Sequence, residues 1–189
     1  YMQVTLLDFS SAWSVEAERA GLYGSTGPSR DEETVEYMPP ERLLADSTRT
    51  PSPAQDAWAI GVVLLEVLLG TRQAFQVDPR TRAFVEKSLR GRSQWEIEKA
   101  LLEAALADLC VLPKDATPCA PTDLLDELQE RDPLEVGFAS YLGVDGADFV
   151  SSLLARDPAE RALPSQALNH PFLRRAAEQL FENVRRIDA

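Results

Sequence analysis

The chain has 189 residues, and its content of 44% hydrophobic and 26% charged residues is sufficient for one globular domain with its own core. Its formal net charge of -12 opposes binding to nucleic acid or to anionic lipid through bulk electrostatics. The longest apolar run, Ala57 to Leu69, is shorter than the roughly 20 residues that cross a bilayer. We therefore expect neither a nucleic-acid partner nor a membrane partner.

Cysteine and histidine are scarce in this chain. Cys110 and Cys119 are the only cysteines, and His170 is the only histidine. This inventory is too small for a structural zinc site of the usual Cys/His type. A pair of cysteines without the pattern of a disulfide scaffold favours a reducing compartment, so we expect a cytoplasmic or otherwise intracellular protein.

The N-terminal residues predict a short strand followed by a loop. Apolar and polar side chains alternate from Tyr1 to Leu7, as in a half-buried strand. Residues 10–34 are rich in glycine, serine and charge, which favours a loop. An unpaired strand edge is a liability for a protein in water, so we expect either a partner chain or the missing N-terminal half of the domain to cover it, or local disorder.

Residues 54–69 give the strongest helix prediction. Apolar side chains occur nearly all round this helix, which predicts a buried position, and Gly70 is expected to end it. Shorter helices are predicted on both sides of it. A turn at Pro39-Pro40 leads into a helix at 41–44. The helix predicted over 93–109 has a capping box at Ser93 and Glu96, and the helix over 122–129 is capped by Thr122. The other predicted helices cover residues 81–89, 147–155, 165–169 and 172–187.

Four motifs follow one another along the chain, and together they resemble the C-terminal lobe of protein kinases. The spelling is closer to serine/threonine kinases than to tyrosine kinases, and the resemblance covers nearly the whole chain. The motifs are Leu6-Leu7-Asp8-Phe9-Ser10, Glu36-Tyr37-Met38-Pro39-Pro40-Glu41-Arg42-Leu43, Asp56-Ala57-Trp58-Ala59-Ile60-Gly61-Val62, and Leu154-Ala155-Arg156-Asp157-Pro158 leading through Arg161 to His170-Pro171-Phe172.

The resemblance implies a mainly α fold, namely a kinase-like C-terminal lobe with a short N-terminal strand remnant and a helical insert. It assigns residues 8–41 to the activation segment, 54–69 to the central buried helix and 147–173 to the terminal kinase motif. The distance between the last two segments implies an insert at 94–132. This insert is a candidate surface for protein partners, and extra packing on the lobe is an equally good interpretation.

The resemblance also implies functional residues in the activation segment. Asp8 occupies the position that binds Mg²⁺, and with it ATP, in the intact parent protein. An aspartate after a strand is otherwise a turn or cap residue. Ser10 replaces the usual glycine of this motif and Glu33 replaces another, two departures that are typical of pseudokinases. Thr34, Tyr37 and Pro40 belong to the segment that shapes the substrate site.

Three further residues have structural roles in the family. Glu41 and Arg161 match the positions of a buried ion pair that ties the activation segment to the lobe. Asp56 matches an aspartate that accepts hydrogen bonds from the backbone of the catalytic loop. The alternative for Asp56 is a carboxylate in the first turn of a helix, where the helix dipole favours it.

Nothing in the chain matches the glycine-rich phosphate loop, the ATP-anchoring lysine or the His-Arg-Asp catalytic loop. We therefore assign no catalytic residue and expect this chain alone neither to hold ATP and Mg²⁺ nor to transfer phosphate. The N-terminal half of a kinase domain is an expected partner. Three hypotheses stay open: part of an active serine/threonine kinase, a pseudokinase or kinase-derived scaffold, and an unrelated acidic helical scaffold. The last would fall if Glu41 and Arg161 were in contact.

Overall fold

The computed structural model describes residues 5–9, 12–23, 34–43, 51–111 and 119–178. Regular structure within these ranges is helical, which confirms the mainly α class. No helix in these ranges is both long and apolar enough to cross a bilayer. The helices are α1 (Val15–Arg19), α2 (Pro40–Leu43), α3 (Pro53–Leu69), α4 (Pro79–Ser88), α5 (Gln94–Asp108), α6 (Pro121–Arg131), α7 (Gly143–Leu153), α8 (Pro164–Ala167) and α9 (residues 171–178), with 3₁₀ turns at Val35–Tyr37 and Ala139–Tyr141.

The core lies where α3, α6 and α7 meet. α6 and α7 pack along each other, and α3 packs on α7. The end of α5 closes one side of this core with two buried leucines. Burial of these apolar side chains is the main stabilising contribution to the lobe. The most deeply buried members are Trp58, Val62, Leu65, Leu106, Leu109, Leu124, Leu128, Val150 and Leu154.

The ends of α3 agree with the sequence prediction. The helix begins at Pro53, because the fixed φ of proline suits the first helical position. It ends at Gly70, whose φ of 63° is in the left-handed region that glycine adopts without strain. Thr71 N–H then donates to the carbonyl oxygen of Glu66 at 3.1 Å, so the last turn of α3 is capped.

The prediction that α3 is buried on all sides is wrong for one face. Ile60, Val63 and Val67 are 52%, 47% and 49% exposed. Residues three and four positions apart lie on the same side of a helix, so these three side chains form one apolar stripe. The described elements pack on the opposite side of α3 and leave this stripe uncovered.

The strand expected over residues 1–7 is not seen in its described part. Residues 5–9 have no regular structure, and Leu6 and Leu7 are exposed. A strand needs a neighbouring backbone with which to exchange hydrogen bonds, and no described residue provides one at this segment. Residues 1–4 lie outside the described ranges.

The loop prediction for residues 10–34 missed the short helix α1. The Ser14 hydroxyl caps α1 by accepting a hydrogen bond from Ala17 N–H at 3.0 Å. The Tyr23 hydroxyl accepts from Ser14 N–H at 2.7 Å and donates to the Ala12 carbonyl at 2.9 Å. α1 buries no residue. Its stabilisation is local, so an apolar pattern in the sequence could not reveal it.

Helix starts were predicted less well than helix ends. The Ser93 capping box of α5 is confirmed, because Ser93 N–H donates to the Glu96 carboxylate at 2.9 Å. α6 begins at Pro121 and not at Thr122, and Asp123 supplies the cap by accepting from Ala120 N–H at 2.8 Å. α7 begins four residues earlier than predicted, and the predicted residues 179–187 of the last helix lie outside the described ranges.

The two cysteines are joined by a disulfide. Cys110 follows the end of α5, Cys119 precedes α6, and their Cα atoms are 5.6 Å apart. The expectation of a reducing compartment followed from the lack of a disulfide-scaffold pattern in the sequence, and the structure nevertheless pairs the two cysteines. The pairing depends on how two helix ends meet in space, so cysteine spacing alone did not predict it.

A turn after α6 is held against the C-terminal end of α3. Asp132 is buried, and its carboxylate accepts from Val136 N–H at 2.7 Å and Gly137 N–H at 2.8 Å. Phe138 N–H donates to the Leu68 carbonyl at 2.9 Å. A Cβ atom added at Gly137 would overlap the backbone carbonyl of Leu68. Only glycine allows this close approach.

We expect Gly137→Ala to lower the free energy of unfolding by about 2 kcal/mol, because the added methyl group would displace helix backbone and not a flexible side chain. Urea denaturation followed by circular dichroism measures this difference. Ser140→Ala is the control, since Ser140 is exposed on the same turn, and its effect should stay below about 0.5 kcal/mol. Equal stability of the two variants would contradict the close approach.

Candidate functional site

The candidate site is built around the guanidinium of Arg161. Arg161 is 2% exposed, and it comes from the turn between α7 and α8. Its Nη1 and Nη2 atoms donate to the two carboxylate oxygens of Glu41 at 2.8 and 2.9 Å. This is the bidentate geometry that gives arginine–carboxylate pairs their strength. The contact that the resemblance implied is therefore present, and the hypothesis of an unrelated scaffold falls.

Backbone carbonyls complete the coordination of Arg161. Nε donates to the Ala155 carbonyl at 3.0 Å, and Nη1 also donates to the Ala54 carbonyl at 2.7 Å. The guanidinium carbon lies 5.1 Å from the centre of the Trp58 ring, a cation–π distance. Arg161 thus joins α2, the start of α3 and the chain after α7. Sequence reasoning found Glu41 but missed these carbonyls, because carbonyl groups carry no sequence signal.

The turn that presents Arg161 has its own local cause. The Asp157 carboxylate accepts from Ala159 N–H at 2.8 Å, and the Asp157 carbonyl accepts from Glu160 N–H at 3.0 Å. Such side-chain bonds to the nearby backbone make aspartate a favoured turn residue. Ala162 N–H then donates to the Ser152 carbonyl at 2.9 Å, which fixes the chain after Arg161 against α7. The spacing from Asp157 to Arg161 follows from this turn.

Tyr37 makes a second connection, between the 3₁₀ turn at Val35–Tyr37 and α3. Its hydroxyl donates to the Glu66 carboxylate at 3.2 Å, and its N–H donates to the Thr34 carbonyl at 3.0 Å to close the 3₁₀ turn. Partial burial raises the pKa of the Tyr37 hydroxyl, and the hydrogen bond and negative charge of Glu66 raise it further. The Thr34 side chain is exposed. Glu66 was not predicted as a partner, since it lies on a helix that was expected to be apolar all round.

Asp56 lies in the first turn of α3, on the exposed side of the helix. This position agrees with the interpretation of Asp56 as a carboxylate near a positive helix end. Neighbouring protein atoms nevertheless remove part of its solvent, and this desolvation raises the pKa of the Asp56 carboxyl. Asp56 is therefore a partly desolvated carboxylate that faces outward.

Asp8 lies at the surface with its backbone in the left-handed region, at a φ of 61°. Leu7 and Phe9 on either side of it are 81% and 68% exposed. Asp8, Thr34 and Asp56 thus lie at the surface, whereas Pro40, Glu41 and Arg161 belong to the buried cluster. The structure brings Glu41 and Arg161 together and leaves both Asp56 and the predicted metal ligand, Asp8, outside this pair.

The described residues contain one group of three side chains with the spacing of metal ligands, and Asp8 is not in it. The group consists of Cys110, Cys119 and Asp123. A single carboxylate does not by itself make a site for Mg²⁺ and ATP, which needs further oxygen ligands and phosphate-binding groups.

Replacement of Arg161 by methionine should cost about 3–5 kcal/mol of unfolding free energy, because Glu41 would remain as a largely buried charge without its partner. Chemical denaturation of this variant is compared with that of Arg156→Met, whose side chain is exposed. The control should lose less than about 1 kcal/mol. A loss of that small size for Arg161→Met would show that the pair does not stabilise the lobe.

Tyr37 should make stability depend on alkaline pH. The folded protein holds the Tyr37 proton more tightly than the unfolded chain, so this contribution is complete below the unfolded pKa of about 10 and is lost as the pH rises through the higher folded pKa. Unfolding free energies measured from pH 8 to pH 11 should therefore show that the advantage of the wild type over Tyr37→Phe shrinks above about pH 10.

Tyr141→Phe is the control for this measurement, because Tyr141 is 78% exposed. Its difference from the wild type should stay constant across the same pH range. If Tyr37→Phe and Tyr141→Phe gave parallel curves, the hydrogen bond to Glu66 would not be the cause of the alkaline loss.

Comparison with known proteins gives matches over most of the chain. Residues 2–173 match the model of the protein kinase domain. A relative from Arabidopsis thaliana, named as a probable inactive protein kinase, is 31% identical over 189 aligned residues. That alignment covers 88% of this chain and 49% of the relative.

Two further relatives are named serine/threonine-protein kinases. AFC1 of Arabidopsis thaliana is 29% identical over 155 residues, which cover 77% of this chain and 32% of the relative. SSN3 of Yarrowia lipolytica is 28% identical over 159 residues, which cover 79% of this chain and 37% of the relative. The chain thus spans between about a third and a half of the length of these curated relatives. No solved structure matches it.

The family match includes the segment of Glu41 and the turn of Arg161, which the structure joins by a bidentate ion pair. The match extends over nearly the whole chain, and the fold is helical as a kinase C-terminal lobe requires. This chain therefore belongs to the protein kinase domain family.

Proposed function

We propose that this chain is the C-terminal-lobe portion of a serine/threonine protein-kinase-like domain and that it does not transfer phosphate by itself. In the intact parent protein, a second segment supplies the nucleotide-binding lobe and the catalytic loop. The completed domain transfers phosphate from ATP to hydroxyl groups of proteins, with Mg²⁺ as cofactor. In this proposal the protein acts inside the cell, where ATP is available.

The observation that carries the proposal is the uncovered face of α3. Ile60, Val63 and Val67 form an apolar stripe that is about half exposed, although eight other residues of α3 are buried. Asp56 lies one turn before Ile60 on the same side of the helix. An apolar stripe that ends in a partly desolvated carboxylate suits a helix and a loop that cover α3 and donate N–H groups to Asp56.

The N-terminal residues support the same arrangement. Leu6 and Leu7 are 77% and 81% exposed beside Asp8. A neighbouring strand from the preceding segment would bury these side chains and fix the backbone that carries Asp8. Asp8 would then contribute one oxygen ligand to Mg²⁺, and the remaining ligands would come from ATP and from the second segment.

Transfer of labelled phosphate from ATP in the presence of Mg²⁺ tests the proposal. The intact parent protein should label itself or a generic basic protein substrate, and the 189-residue chain should not. Asp8→Ala in the intact protein should abolish labelling, because the metal would lose its protein ligand. Asp126→Ala, an exposed carboxylate on α6, is the matched control and should retain the wild-type rate.

A pseudokinase or kinase-derived scaffold is the second candidate. The relative that shares 31% identity over 88% of the chain is named as a probable inactive protein kinase. Ser10 and Glu33 stand where active kinases usually have glycine. A scaffold of this kind would bind protein partners through the helices at residues 94–132. Absence of labelling in the intact protein and in Asp8→Ala alike would favour this candidate over the enzyme.

Docking of the second segment on α3 can be tested apart from activity. The upstream half of the parent protein, produced as a separate polypeptide, should bind the 189-residue chain in a calorimetric titration. Val63→Glu should weaken this binding at least about tenfold, because the introduced charge would be buried at the centre of the stripe. Leu168→Glu is the control. It places the same charge at an apolar residue that is 72% exposed and lies outside the stripe, and this variant should bind like the wild type. Equal affinity of both variants would show that α3 is not the docking surface.

A further inference from the structure

A cleft opens between α2, the end of α5 and the chain after α7, and both cysteines line it. Its volume is about 730 Å³. Asp157 and Glu160 lie on its wall, next to the carboxylate of Glu41. Arg156 also lines the cleft, and Arg161 pairs with Glu41, so the excess of carboxylates is small; the net charge of -12 on the whole chain favours cations over anions.

Cys110 and Cys119 line this cleft, and Asp123 lies beside the two cysteines in the first turn of α6. Two sulfur atoms and one carboxylate oxygen all lie within 4.8 Å of one another. A tetrahedral zinc ion with its usual bonds of about 2.3 Å to sulfur and about 2.0 Å to oxygen holds its ligand atoms roughly 3.5–3.8 Å apart. The cluster is compact enough for such an ion once the sulfur atoms are free to separate.

We propose that Cys110, Cys119 and Asp123 form a binding site for a thiophilic divalent cation such as Zn²⁺ when the disulfide is reduced. Two thiolates and one carboxylate supply three ligands, and water from the cleft supplies the fourth. Soft thiolate ligands select Zn²⁺ over Mg²⁺ and Ca²⁺, which prefer oxygen. The site is independent of the proposed phosphate transfer.

Two helix ends hold the ligands in place. Cys110 N–H donates to the Ala107 carbonyl at 3.1 Å, which fixes Cys110 to the last turn of α5. The Asp123 carboxylate accepts from Ala120 N–H at 2.8 Å through one oxygen, which orients the group and leaves the other oxygen for a cation. Cys119 directly precedes Ala120, so the same cap positions it. The ligands are therefore largely pre-arranged before an ion binds.

The disulfide and the metal site exclude each other, because sulfur atoms joined in a disulfide cannot act as thiolate ligands. Two electrons and two protons convert the disulfide into two thiols, and two molecules of a low-molecular-weight thiol supply them as they join in their own disulfide. Binding of a divalent cation then releases the two thiol protons. Oxidation by a peroxide or by a small-molecule disulfide would expel the ion.

Metal titration of the reduced 189-residue chain tests the site. The chain has only two cysteines, so a thiol assay counts the reduced state without ambiguity. After reduction with a phosphine, Co²⁺ should bind with one ion per chain and give a sulfur-to-cobalt charge-transfer band, and Zn²⁺ should displace it. The oxidised chain should give no such band.

Variants separate the three ligands. Cys110→Ser and Cys119→Ser should each weaken Zn²⁺ binding at least about 100-fold, and Asp123→Asn, which keeps both thiols, at least about 10-fold. Asp126→Asn, on the exposed side of the same helix, should bind like the wild type. Circular dichroism confirms that each variant is folded. If the reduced wild type, with two titratable thiols, bound Co²⁺ no more tightly than the double cysteine variant, the site would not exist. Wild-type affinity in Asp123→Asn would overturn the three-ligand arrangement.

Discussion

The buried guanidinium of Arg161 is the interaction on which the rest of the lobe depends. An arginine can leave water only if its donors find acceptors, and here Glu41 and three backbone carbonyls accept from it. Glu41 and Arg161 are 120 positions apart in sequence, so their contact closes most of the chain into one unit. The position of α2, and of the described residues directly before it, is therefore set by a charge that belongs to the last third of the chain.

An ion pair of this kind is a poor source of net stability but a strict constraint on structure. Desolvation of both ions offsets much of their attraction, whereas loss of either partner leaves the other without compensation. The carbonyl of Ala54 links Arg161 to the first turn of α3, and the guanidinium also lies over the ring of Trp58 on the same helix. The pair consequently fixes α2 relative to the central helix, and not only relative to the chain after α7.

The uncovered side of α3 contrasts with the Arg161 cluster, in which the buried donors have acceptors. Ile60 and Val63 remain half exposed, and the pKa of Asp56 beside them is raised by loss of solvent. A raised carboxyl pKa means that the ionised group works against folding as the pH rises above its ordinary range. A neighbour that donated N–H groups to Asp56 would reverse this effect, and it would bury the aliphatic side chains at the same time. A covering segment would therefore address both the exposure of the aliphatic side chains and the desolvation of Asp56.

Local signals and family motifs could be read from the sequence, and contacts between distant residues could not. Gly70 and the Ser93 capping box are complete within a few residues, so the ends of α3 and the start of α5 were predictable. Glu41 and Arg161 were predictable only through the motif resemblance. The open face of α3 and the pairing of Cys110 with Cys119 depend on which elements are neighbours in space, and periodicity and spacing contain no information on that.

The hydrogen bonds that the acidic groups of the cleft already make decide which of these groups a cation could bind. Glu41 lines the same cleft, but both of its carboxylate oxygens already accept from Arg161. Asp157 is partly engaged as well, since one of its oxygens accepts from Ala159 N–H. A cation at the wall of this cleft would therefore not draw Glu41 away from Arg161, because the arginine neutralises that carboxylate and holds it by two charge-assisted bonds. Metal binding at α5 and α6 and the anchoring of α2 by Arg161 can thus coexist in one lobe without competition for the same carboxylate.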